Sequence, residues 1–290
     1  MRWSQGAAQL RVATASEDEP TDVPILGLRL CFDVPEEASR RCVGYVDRDG
    51  DGSRTVTCRR VPKQGRRCAS CQRADTAASV NMNQSHRRGR GAIDGRMVAY
   101  LEQPHRLYVA GFRDGSLKVG TAAGTSDDRR LLEQGAWLAR YVGEAPDGFV
   151  VRQAEDMVTS RTGLAQGVTV ARKLRGLTRP VDDDVLAGQL DEATQGAAEV
   201  ARSSGIEVTV ASWSNPARSA AIWSGVLSYP ATVDAGSHDL TFLGAVGRLL
   251  AAVRPGFDEV FVVDPAPLFG RAIDLGEHRP DEVALQAALF

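Results

Sequence analysis

No stretch of this chain approaches the ~18–20 uninterrupted apolar residues that a membrane helix needs, and residues 1–17 lack the apolar segment of a secretory signal. Both absences lead us to expect a cytoplasmic protein. Cysteine is scarce, with 5 in 290 residues, and four of them fall between positions 42 and 71. That distribution argues against a disulfide framework and for a metal site in a reducing compartment. No segment repeats at a fixed period, so a repeat architecture is not expected. A strong overall charge is missing too: the formal net charge is -2, and no partner follows from the total.

What is present is ample apolar content and an uneven charge. At 43% hydrophobic, a chain of this length can build one large domain or two ordinary ones, each with its own core. Residues 39–91 carry thirteen Lys/Arg against four Asp/Glu, an excess of nine basic charges, so the remainder is acidic. Such asymmetry is the footprint of a phosphate-bearing partner, DNA or RNA; a solvated basic stretch is the alternative.

The pattern predicts an α+β protein in four parts. Residues 1–22 read as a flexible acidic arm. Residues 23–96 read as a zinc-binding β region with a basic linker: a strand over 25–32 containing Cys31, short strands and turns over 41–73, and a polar linker over 74–96. An α/β unit follows over 97–180, opening with two strands, 105–112 and 116–121, joined at Asp114-Gly115. Asp127 and Asp128 can cap a helix carrying Leu131, Leu132, Trp137, Leu138, Tyr141 and Val142, and a second helix is expected over 150–161. Residues 181–290 read as an α+β portion packing with the N-terminal region: a helix over 185–203, strands over 207–212, 240–243, 260–264 and 271–275, and a helix near 246–253. Trp213, Trp223 and Tyr229 in this portion read as core residues, with base stacking as the alternative.

Zinc takes four soft ligands in a tetrahedron, and a C-x2-C turn supplies two of them. Cys68-Ala69-Ser70-Cys71 is such a turn, with Cys58 and Cys42 placed to complete a structural Zn2+ site. Arg59, Arg60, Lys63, Arg66 and Arg67 can offset the thiolate charge or contact a phosphate backbone. His86 is a candidate substitute ligand. Asp47-Arg48-Asp49-Gly50-Asp51-Gly52 matches the opening of a calcium loop, but the closing Glu position holds Cys58, so the segment reads as a hairpin turn.

His105-Arg106-Leu107-Tyr108, then Lys118-Val119-Gly120-Thr121, then Arg130 and Glu155 on successive helices, resemble the GIY-YIG nuclease superfamily over about residues 100–180. The resemblance implies a small three-stranded sheet with flanking helices, Tyr108 and Arg130 at a phosphodiesterase site, and Glu155 holding Mg2+ or Mn2+. Lys118 stands in place of the second signature tyrosine, Arg106 in place of the first glycine, and Gln134 where many members have histidine. Over residues 28–275 the chain also resembles the uncharacterised proteins called domain of unknown function 2797. The residues carrying that likeness are Arg41-Cys42-Val43-Gly44, the remaining cysteines, Pro104–Tyr108, Leu117–Thr121, Glu133–Ala136 and Val151–Asp156.

Phosphodiester hydrolysis needs a cation, a carboxylate to hold it and a base. Glu155, bordering the arc of Val151, Ala154 and Val158, suits the carboxylate; an ion pair with Arg130 is the structural alternative. Tyr108 or Lys118 could activate water, or simply pack. Gly135 within a predicted helix signals a close approach, by a packed strand or a nucleic-acid backbone. The functional expectation is a zinc-containing nucleic-acid-associated protein with a metal-dependent endonuclease site. A non-catalytic nucleic-acid-binding module and a scaffold with no such role are the alternatives.

Overall fold

Two short strand-like runs and an Asp-Gly turn make the central hairpin of the protein, seen here in a computed structural model that describes residues 1–282 except 5, 14–19, 38, 50, 51 and 127. The chain is mixed α+β. Its opening residues form a three-stranded antiparallel sheet of β1 (Arg2–Ser4), β2 (Ala7–Val12) and β3 (Thr21–Pro24). The arm expected over 1–22 is thereby corrected: Trp3 is buried and its indole N–H donates to the Gly247 carbonyl at 3.0 Å, anchoring the sheet to the C-terminal half. After β4 (Arg29–Val34), the hairpin β5 (Tyr45–Asp49) and β6 (Gly52–Val56) flanks the cysteines, as the Asp-rich turn suggested, although residues 50 and 51 themselves lie outside the described ones.

The expected polar linker over 74–96 is helical instead. It comprises α1 (Ala69–Asn83), α2 (Ser85–Arg88) and α3 (Gly95–Leu101), the last straddling the boundary expected near residue 96. Polar composition concealed these helices because they are held by docking. Arg90 bridges Glu102 at 2.7 Å and Asp147 at 3.0 Å while stacking on Phe149, and Ile93, Met97 and Leu101 bury one narrow face.

The central hairpin, β7 (His105–Gly111) and β8 (Leu117–Ala123), pairs in register from His105 with Ala123 to Gly111 with Leu117. Asp127, expected to cap the next helix, lies outside the described residues; Asp128 accepts from the Tyr141 hydroxyl at 2.8 Å and makes no side-chain cap. That helix, α4 (Arg129–Gln134), stops at Gly135, whose φ of 70° is left-handed. The predicted helix through Tyr141 is therefore wrong. Leu138–Ala145 is strand β9, buried at six of its eight positions with Arg140 and Glu144 the exceptions, so it shows no regular alternation that distinguishes strand from helix. Next come α5 (Gly148–Thr162), capped by Asp147, then α6 (Val170–Thr178) and α7 (Asp183–Ser203).

Strand β10 (Glu207–Ser214) returns to pair with β9, making the order β10-β9-β7-β8 and extending the expected three-stranded sheet to four. Leu186, Leu190, Ala197 and Ala201 of α7 and Val151, Ala154 and Val158 of α5 cover one face with Leu107, Val109 and Val119. The rest of the chain builds a six-stranded sheet from β11 (Leu227–Ser228), β12 (Gly236–Val246), β13 (Leu249–Val253), β14 (Phe261–Val263) and β15 (Asp274–Leu275), in the order β11-β14-β13-β12-β4-β15. Here β13 replaces the helix expected near 246–253, again because its residues are buried on both faces. Trp213 and Trp223 are core residues, and the Tyr229 ring packs edge-on against Phe261 with its hydroxyl 2.9 Å from His238 Nδ1.

The close approach signalled by Gly135 is real, but at the helix end. A Cβ there would lie 3.0 Å from the Gly247 backbone nitrogen, in the β12–β13 turn, and a Cβ on Gly247 would lie 2.9 Å from that of Gly135. Two glycine backbones thus lock the central unit to the six-stranded sheet.

Candidate metal centre and arginine-lined cleft

Cys42 follows β4, Cys58 follows β6, Cys68 is the residue capping α1, and Cys71 lies in its first turn. Their four sulfurs lie within 4.8 Å of one another. A tetrahedral ion with metal–sulfur bonds of ~2.3 Å spaces its sulfurs ~3.8 Å apart, and Cys58 Sγ stands 3.8 Å from Cys68 Sγ. The donor set therefore fits a metal ion such as zinc. The backbone amides of Cys68 and Gly44 donate to Cys42 Sγ at 3.2 and 3.4 Å. The Cys71 backbone N–H, the largest influence on Cys68, lowers that thiol, whereas burial raises those of Cys71 and Cys58.

Gly44 has φ 70°, and a Cβ there would collide with the Val56 carbonyl oxygen. Only glycine lets Cys42 reach its partners past β6. Arg67 Nε donates to the Gly44 carbonyl at 2.9 Å and Arg67 pairs with Asp75 at 3.2 Å, tying α1 to the loop. His86 is no ligand: its Nε2 lies 2.9 Å from Asp156. Burial by itself would raise the Asp156 carboxyl, but hydrogen bonds from Gln166, Arg87 and His86 outweigh it and lower it.

The four residues singled out in the central unit do converge. Gln134 gathers two of them: its Oε1 accepts from Lys118 Nζ at 2.6 Å and from the Tyr108 hydroxyl at 3.3 Å. Lys118 also sits over the Tyr108 ring, and a Cβ at position 120 would lie 2.5 Å from the Tyr108 hydroxyl, so Gly120 makes room for the ring. Burial, followed by the Arg130 charge, lowers Lys118 to about 7, with Glu155 opposing; burial likewise raises Tyr108. The Arg130 charge opposes the effect of burial on Tyr108.

Glu155 does not make the expected ion pair with Arg130. It is buried, yet Arg152 and not Arg130 is its partner, at 2.8 Å one turn earlier on α5. A carboxylate whose oxygen already receives a guanidinium is a poor holder for Mg2+ or Mn2+, and among the described residues Glu155 belongs to no group of three or more side chains that could hold a metal ion. The edge of β8 is also covered: Val119 N–H donates to Ala165 O at 2.9 Å, and Lys173 Nζ donates to the Gln134 carbonyl at 2.7 Å. Gln134 and Arg152 are the residues of this cluster to which sequence reasoning gave no role. Gln134 was visible as a departure from the nuclease signature, and both it and Arg152 fell within the segments that carry the family likeness, but nothing in the sequence pairs Gln134 with Lys118 or Arg152 with Glu155.

Between the cysteine centre, the first sheet, the six-stranded sheet and the central unit runs a cleft of about 1180 Å3. Among the described residues its charged lining is ten arginines and one carboxylate, Glu133. Arg41, Arg59 and Arg67 come from the cysteine region, Arg129, Arg130 and Arg152 from the central unit. Several are ion-paired outside the cleft, Arg67 with Asp75 and Arg152 with Glu155, so those carboxylates orient guanidiniums without reversing the local excess. Cys42 and Cys58 form part of the wall.

Among the described residues, no helix is long and apolar enough to cross a membrane. No curated protein and no solved structure matches the chain. A family model described as a protein of unknown function, DUF2797, matches residues 37–254, which contain all four cysteines, the Gln134 cluster and both glycines of the central lock. The chain belongs to the DUF2797 family.

Proposed function

We propose that this protein binds nucleic acid along the arginine-lined cleft, with zinc at the four cysteines holding one wall in shape and the Tyr108–Lys118 unit serving as a binding module without hydrolysis. The cleft's charged lining, ten arginines to one carboxylate, carries the reading. A groove of one sign with apolar walls concentrates a polyanion and releases its counterions on binding. The non-catalytic form is favoured by the way the signature residues engage each other: Glu155 with Arg152, and Tyr108 and Lys118 with Gln134. The zinc would neutralise two of the four thiolate charges and crosslink the loop after β4, the end of β6 and α1.

Fluorescence anisotropy on labelled single-stranded, duplex and branched DNA and RNA over a salt series tests it. Binding should weaken steeply with salt, and Arg41→Glu with Arg130→Glu should weaken it by at least about 10-fold and flatten the salt slope. Salt-independent or undetectable binding at low ionic strength would sink the proposal. The same panel with Mg2+ or Mn2+ should show no cleavage; cleavage lost in Glu155→Ala would restore the nuclease reading and assign Glu155, Tyr108, Lys118 and Arg130 to it.

A further inference from the structure

Two residues that line the cleft each carry a buried polar atom that the fold leaves without a partner. Thr121 is only 5% exposed, and its Oγ1 has no hydrogen-bond partner among the described residues. The same is true of Arg152 Nε, although another nitrogen of that guanidinium is fixed by Glu155. Both residues line the cleft, and Arg130 lines it from α4. Burying a hydroxyl or a guanidinium N–H without a partner is costly, so such atoms in one wall mark a place where a ligand supplies the acceptor. Strand alternation adds a third donor: Val119 N–H points to the outer edge of β8, so the Thr121 N–H, two residues on, points the same way. Arg152 Nε and the backbone N–H donate, the hydroxyl can, and a second guanidinium, Arg130, lines the same cleft and, like Arg152, acts electrostatically on Lys118. The complementary ligand is a compact oxyanion with several acceptor oxygens.

We infer that Thr121, Arg152 and Arg130 form a phosphate subsite in the wall of the cleft, where one phosphate group is held by the Thr121 hydroxyl and Arg152 Nε. The inference rests on the nucleic-acid reading for the identity of the strand, but not for the phosphate itself. Glu155 acts here as a positioning residue: by holding one nitrogen of Arg152, it turns Nε to the wall.

The test uses the full-length, metal-loaded chain and Thr121→Val, which removes the hydroxyl and keeps the shape. Thermal unfolding in inorganic phosphate, against chloride of equal ionic strength, should show stabilisation of the wild type that Thr121→Val loses. The variant should unfold no earlier than wild type in chloride, since it sheds an unpartnered hydroxyl. Oligonucleotide affinity should fall about 10-fold in Thr121→Val with the salt slope unchanged, because no charge is removed. Arg152→Lys, which keeps the charge but lacks Nε, should repeat the loss.

Equal phosphate stabilisation of both proteins, or none in the wild type, would overturn the subsite. So would a Thr121→Val that unfolds earlier in chloride, which would make the hydroxyl structural. If Thr121→Val keeps full affinity while Arg41→Glu with Arg130→Glu loses it, the subsite falls and the cleft reading stands. If no oligonucleotide binds but the phosphate effect vanishes in Thr121→Val, the subsite stands and the cleft reading falls. A mononucleotide that binds as tightly as a ten-residue strand supports the subsite and assigns it to a small phosphate ester.

Discussion

Lys118→Met should change how stability depends on pH in a calculable way. Lys118 is 5% exposed, and burial lowers its pKa from 10.5 to about 7. Between those values the unfolded chain carries a proton at this site that the folded chain has released, so the unfolded state binds more protons and stability must rise with pH. Integrating that difference from pH 7 to pH 9 gives about 2 kcal/mol for this one side chain, while the full displacement of the pKa corresponds to roughly 5 kcal/mol. Methionine fills a similar volume and does not titrate. Urea unfolding of both proteins at pH 6, 7, 8 and 9 isolates the effect, because groups that do not interact with Lys118 contribute equally to both and cancel in the comparison. The stability of wild type relative to Lys118→Met should climb by about 2 kcal/mol between pH 7 and pH 9 with equal m-values. A difference that stays flat across this range would refute the account of Lys118 as an amine whose charged form is disfavoured in a dry site against Gln134.

Two further outcomes follow from backbone geometry. Gly44→Ala collides with the Val56 carbonyl and should cost more than about 2 kcal/mol, lowering the metal retained after dialysis against a weak chelator; Gly65→Ala, at φ 65° with open space around it, should cost about 1 kcal/mol and retain its metal. Gly135→Ala and Gly247→Ala should each destabilise by about 2 kcal/mol in chemical denaturation, and the double variant by clearly less than the sum, because either one alone already forces the two turns apart.

The parts of the fold legible in sequence are those where one residue type has one physical job. The β7–β8 hairpin follows from two short strand-like runs joined at Asp114-Gly115, where Gly115 takes φ 81° and Asp114 accepts from Ser116 N–H at 3.0 Å. The cysteine set follows from the need for soft ligands at a tight turn. The helices α5 and α7 were found near their true bounds because each buries one stripe. The failures share a cause: where tertiary packing decides, local pattern is silent. Strands β9 and β13 are buried at most positions and lose their period of two, while α1 is polar along most of its length and is held by Arg67, Asp75 and the cysteine turn. The site divides in the same way. Tyr108, Lys118, Arg130 and Glu155 were named from a signature, but the Arg152 that engages Glu155 and the ten-arginine lining exist only once distant segments meet.

The position of β4 between β12 and β15 also sets a timetable for synthesis. Arg29 grips Asp239 through two hydrogen bonds, of 2.9 and 2.6 Å, across 210 residues of sequence. At ~5–20 residues per second, the ribosome takes roughly 10–40 s to make that interval, and throughout it both edges of β4 lack their sheet neighbours. The cysteine region, complete by residue 71, can bind its ion and fold early in that interval, holding one end of β4 close to a folded unit until the strand's partners emerge.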